Sequence, residues 1–147
     1  MREPLRWYRE WRFERSGGPN RCIGHPEYAK KVARTIVNNW KIAKAVAESR
    51  GAQFMAILQP VLPLGSPRRD HLLEPGKKIP PSMVATVYPF IRRIVADERL
   101  GWVHDFGDAY DGNEYIYTDW VHASENGNRI IAERIRDVLG ERLPTRE

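Results

Sequence analysis

Residues 117–135 read Tyr117-Thr118-Asp119-Trp120-Val121-His122-Ala123-Ser124-Glu125-Asn126-Gly127-Asn128-Arg129-Ile130-Ile131-Ala132-Glu133-Arg134-Ile135. Ser124 stands before a run in which Ile130, Ile131 and Ile135 recur at helical spacing, and Val138 and Leu139 continue the stripe. A serine in that place caps a helix, because its hydroxyl accepts a backbone N–H that the first turn leaves unpaired. The spacing predicts a final helix over about 125–141 with those five residues on its buried face. Just ahead of the cap, Asp119 and His122 are three apart. On a short turn that spacing brings a carboxylate to one ring nitrogen and leaves the other facing outward. An acid–base pair needs this arrangement: the carboxylate holds the imidazole in one tautomer and stabilises the imidazolium. The plain alternative is a turn aspartate beside an exposed histidine, and Asp-x-x-His alone does not exclude it.

Upstream, Trp102–Phe106 reads as a short strand and Tyr115-Ile116-Tyr117 as a brief extended piece. A helix is predicted from about Ser82, its cap, to Arg99, with Pro89 expected to kink or split it by removing a backbone donor. Residues 53–59 hold five consecutive apolar residues between two glutamines, the habit of a strand buried on both faces of a parallel sheet. Pro60 ends that strand. A long helix opens at His25-Pro26-Glu27 and stops at Gly51. Tyr28, Val32, Ile36, Trp40, Ala43 and Val46-Ala47 share one face of it, with Lys30, Lys31, Arg34, Lys41 and Lys44 largely off that face. Residues 61–81 form a loop rich in Pro and Gly that carries Arg68-Arg69-Asp70-His71. A loop of that length in a compact domain is often functional. The alternation of helices and strands argues for an α/β layer architecture. Two strands are too few for a stable parallel sheet, so the sheet is expected to be incomplete.

The composition excludes several classes. Hydrophobic residues make up 41% of the 147, enough for one modest core. No run approaches the roughly 20 apolar residues of a membrane span. Residues 1–6 do not read as a signal peptide, so a cytoplasmic location is the default expectation and the compartment stays unassigned. The net charge is +5. Arg2, Arg6, Arg9, Arg12, Arg15 and Arg21 gather at the start of the chain with Trp7, Tyr8, Trp11 and Phe13; residues 1–15 are predicted to form a short helix, followed by a breaker at 16–20. Such a segment can stack on bases or pack on its own domain, and the lack of any recognition motif argues against nucleic acid as a partner. The single Cys22 permits no internal disulfide and no thiolate zinc site, and reads as a loop thiol. His25, His71, His104 and His122 lack metal-site spacing, and His104-Asp105 reads as structural. Asp105, Asp108 and Asp111 lack the closing acid of a calcium loop. With no phosphate loop or dinucleotide fingerprint, neither a metal nor a cofactor is expected.

Residues 117–135 resemble the C-terminal block of the SGNH (GDSL-like) hydrolases, in which Asp-x-x-His is followed by a small or polar linker, Gly-Asn and an apolar helix with Ala. A looser likeness covers about 27–142. The resemblance implies a partial three-layer α/β/α fold, flavodoxin-like, with an incomplete parallel sheet. It divides the chain into an Arg/Trp-rich segment, 1–24, and a C-terminal part of an SGNH-like domain, 25–147. It implies hydrolysis of an acyl or acetyl ester, on a small molecule or a glycan, with His122 as general base and Asp119 as the carboxylate that orients it. No Gly-Asp-Ser occurs here. Of the serines, Ser49 lies at a helix end, Ser66 in the Pro-rich loop, and Ser82 and Ser124 at caps. Ser16 precedes Gly17-Gly18, and Gly18-Pro19-Asn20 fits the letters of an oxyanion block, but neither follows an apolar strand. The expectation is therefore a chain that begins after the nucleophile block and is inactive alone. The strand at 53–59 would lack its inner neighbour, which favours self-association or pairing with a complementary N-terminal half. The competing expectation is a non-catalytic basic interaction module or a decayed relative.

Overall fold

The structure is a computed structural model that describes residues 21–73, 82–119 and 121–140. The helix expected over 1–15, the breaker, Ser16 and Gly18-Pro19-Asn20 all lie outside these residues. The described residues form α1 (Pro26–Glu48), β1 (Ala56–Leu58), α2 (Met83–Asp97), β2 (Val103–Asp105) and α3 (Glu125–Gly140), with single 3-10 turns at Leu62–Leu64 and Asp70–Leu72. The content is mixed α/β, and no described helix is long and apolar enough to cross a membrane. Two compact units contain them: residues 21–55 with 82–102, and residues 56–73 with 103–140.

In the first unit α1 packs against α2. Pro26 occupies the first turn of α1, where its missing N–H would have no partner anyway. The helix stops as its sequence indicates. Gly51 takes φ +73° while its N–H bonds to the Glu48 carbonyl at 3.0 Å and the Ala52 N–H to that of Ala47 at 3.1 Å. Only a glycine meets this left-handed cap without steric penalty. The covered face differs from the expected one. Ala29, Ala33 and Val37 are buried, Tyr28, Val32, Ile36 and Trp40 flank them half-buried, and Ala43 and Val46 are exposed. Small residues set the line of closest approach between helices, and the larger ones straddle it.

Ser82 caps α2, its hydroxyl accepting the Ala85 N–H at 3.0 Å. Val87, Ile91 and Ile94 form the buried stripe of α2. Pro89 does not split this helix. It is exposed, so the rung it removes lies on the solvent side. Glu98 pairs with both Arg34 and Lys41 of α1, which hold its carboxyl below the usual range. Cys22 lies in the turn ahead of α1, as a loop thiol should, and is free and buried, packing there as a small hydrophobe.

In the second unit β1 pairs parallel to β2, with Ala56 opposite Val103, Ile57 opposite His104 and Leu58 opposite Asp105. Both strands are shorter than expected. Phe54 and Trp102 meet edge to face in the first unit, at 5.7 Å between centroids, instead of extending the ladder. Among the described residues the sheet has these two strands only. The core is Leu62, Phe106, Ala109, Tyr110, Ile116 and Tyr117, with Ile57, Leu72, Ala123, Ile130, Ile131, Ile135 and Val138 packed against it. Leu139, expected in that stripe, is exposed, and the one buried residue of α3 is Gly127. The extended piece at 115–117 is reduced to one antiparallel bridge, Tyr117 with Ala123.

Candidate functional site

The bridge between Tyr117 and Ala123 is the stem of a tight loop. It closes through Thr118 N–H to the His122 carbonyl at 2.9 Å and Ser124 N–H to the Ile116 carbonyl at 2.7 Å. The stem is anchored from below. Tyr117 is buried edge-on against Tyr110 at 5.2 Å, and the Tyr110 hydroxyl donates to the Gly127 carbonyl at 3.2 Å. The loop then runs straight into α3, where Ser124 Oγ accepts the Gly127 N–H at 3.4 Å and the Ser124 carbonyl accepts the Asn128 N–H at 3.0 Å.

Asp119 and His122, singled out by their spacing, meet in this loop. Asp119 Oδ1 accepts the backbone N–H groups of Val121 at 2.9 Å and His122 at 2.8 Å. Its other oxygen, Oδ2, lies 2.6 Å from His122 Nδ1. A carboxylate can only accept, so Nδ1 carries the proton and, in the neutral ring, Nε2 keeps its lone pair. The His122 side chain is 76% exposed, and its backbone carbonyl also accepts from Thr118 Oγ1 at 3.2 Å. The loop therefore fixes one edge of the imidazole and presents the other.

Donors surrounding Asp119, first the His122 and Val121 amides and then the imidazole, pull its pKa from 3.8 down to about 2. The sign follows by linkage. A carboxyl depressed in the folded loop stabilises the loop above its ordinary pKa, and that contribution fades as pH falls from about 4 through about 2. An NMR titration of the Asp119 carboxyl carbon is expected to show a midpoint near 2. A midpoint near 4 would mean that the loop does not hold the carboxylate.

Three of the described serines use their hydroxyls locally: Ser49 Oγ donates to the Val46 carbonyl, and Ser82 and Ser124 cap helices. Ser66 is held through its backbone N–H, which donates to Asp111 Oδ1. None of these serines bonds to His122. Asp105 Oδ1 accepts the Gly107 N–H and Asp108 pairs with Arg134, so the three regularly spaced aspartates serve separate turns and pairs. Among the described residues no group of three or more His, Cys, Asp or Glu side chains converges on a point that could hold a metal. A cleft of about 330 Å³ opens in the same unit along 109–114 and beside Ile116, Arg129 and Ile130, but the dyad does not line it.

One cluster escaped the sequence. Arg68, Asp70 and His71 of the Pro-rich loop gather around Tyr115, some 45 residues away. The Tyr115 hydroxyl donates to Asp70 Oδ2 at 2.8 Å, and the Arg68 guanidinium lies 3.8 Å from the Tyr115 ring centroid. The Tyr115 hydroxyl first, then Arg68, hold the Asp70 carboxyl below its usual range. No periodicity or motif links the two segments. Comparison with models of protein families, with curated proteins and with solved structures finds no match to this chain.

Proposed function

We propose that this chain carries the acid–base half of an SGNH-type ester hydrolase. The observation that supports it is the 2.6 Å contact from Asp119 Oδ2 to His122 Nδ1, with the opposite imidazole edge open to solvent. In this reading Nε2 takes the proton of a serine hydroxyl as its oxygen attacks the acyl carbon of an ester. Asp119 stabilises the imidazolium, which returns the proton to the departing alcohol. Water then repeats the sequence on the acyl-serine, with Nε2 again as base and then as acid. The serine is supplied by a complementary segment or partner chain, since no Gly-Asp-Ser occurs here and no described serine reaches the ring. The substrate is an acyl or acetyl ester of a small molecule or glycan. The reading carries with it a flavodoxin-like three-layer domain with an incomplete sheet, and the two-stranded parallel pair accords with that, because parallel sheets are normally larger and covered on both faces.

The test is to purify the tagged chain natively from its source cells and treat the preparation with a fluorophosphonate probe. A serine-labelled polypeptide associated with the chain is the expected result. A chain that purifies alone, takes up no probe and binds nucleic acid in a salt-sensitive way would establish the basic-module reading instead.

A further inference from the structure

The stem of the dyad loop depends on a side chain from a distant segment. The two bonds that close the bridge use the residues flanking it, so the backbone carbonyl of Tyr117 points away from the Ala123 side. Tyr117 is 3% exposed, and buried backbone carbonyls take hydrogen-bond partners. His71 meets it, with Nε2 2.7 Å from the Tyr117 oxygen. A carbonyl only accepts, so Nε2 of His71 is the donor. The ring of His71 is braced in turn by Tyr115, edge to face at 4.6 Å. Tyr115 is itself held by Asp70 and Arg68, and Arg68 reaches the Asn113 carbonyl at 3.4 Å.

The Tyr117 carbonyl and the Thr118 N–H belong to one planar peptide unit. His71 holds the carbonyl end of that plane, and the N–H end donates to the backbone carbonyl of His122. We infer that His71 is a positioning residue for the dyad: through one rigid peptide plane it sets the backbone of His122, and with it the reach of the imidazole to Asp119. The use of this link in catalysis rests on the reading of the dyad given above. The link itself does not, and it can be measured without a substrate.

The experiment is side-chain NMR of the full chain labelled with ¹⁵N-histidine. Wild-type His122 is expected as one tautomer, protonated at Nδ1 and bare at Nε2. Loss of a single hydrogen bond in His71→Leu is expected to lower the ratio of bonded to open imidazole about fivefold. His71→Gln, whose amide nitrogen can reach the same carbonyl, is expected to restore it. If His71→Leu loses the folded amide spectrum, Tyr115→Leu replaces it, removing the edge-to-face brace on His71 together with the Tyr115 bond to Asp70, with an expected fall of about twofold. A wild-type dyad left unchanged by the folded Leu variant, or a Gln variant no better than Leu, overturns the positioning role alone. A wild-type His122 with no bonded Nδ1–H overturns both this role and the hydrolase reading.

Discussion

Replacing His122 by alanine is expected to slow fluorophosphonate labelling of the natively purified assembly by about 10²–10⁴-fold, the range a positioned general base contributes. Asp119→Asn gives the sharper experiment, because it leaves the loop geometry in place. Two backbone N–H groups bond to Oδ1, and an asparagine oxygen can accept both in the same geometry, more weakly than the carboxylate. That preference turns the amide nitrogen toward His122 Nδ1, where Oδ2 now lies. An amide donor there requires Nδ1 to accept, so the ring proton moves to Nε2 and the base is lost. In a Ser-His-Asp hydrolase this switch of tautomer costs on the order of 10⁴-fold in rate. The expected result is a labelling rate near that of His122→Ala with an unchanged circular dichroism spectrum. Equal labelling of wild type and Asp119→Asn would show that the pair does no acid–base work.

Gly127→Ala is expected to destabilise the second unit. A helix interior ordinarily gains about 1 kcal/mol from this exchange. Here a Cβ would stand 2.6 Å from Ile116 Cγ2 and 2.7 Å from Ala123 Cβ, with the Tyr110 ring at 3.4 Å. None of these is the tip of a flexible side chain, and Ile116 is itself in the core. Overpacking of this kind typically costs about 1–3 kcal/mol, and more at the tightest contacts, which outweighs what propensity returns. A fall in Tm of about 6 °C is expected by thermal denaturation. Gly140→Ala is the control, since a Cβ there meets nothing within 4 Å and Tm should hold or rise. Ala123 follows His122 directly, so the Gly127 variant should also loosen the dyad. A Tm equal to that of the Gly140 control would mean that α3 does not press on the loop as closely as the distances state.

What could be read from the chain alone was local. Ser82 and Ser124 cap because a hydroxyl reaches an amide three residues on, and Gly51 ends α1 because only glycine takes that φ freely. Asp119 and His122 meet because three residues of turn bring a carboxylate to a ring. These relations lie within a few residues and follow from backbone geometry. Tertiary packing decided the rest. It chose Ala29, Ala33 and Val37 over Ala43 and Val46 as the buried line of α1, left Leu139 outside, kept α2 whole through an exposed Pro89, and shortened both strands to three residues. It also pressed Gly127 close against Ile116 and Ala123 and brought His71 to the carbonyl of Tyr117, 46 residues away. Contacts of that separation have no period or spacing, because they are set by which surfaces close on one another once the helices and the sheet have formed.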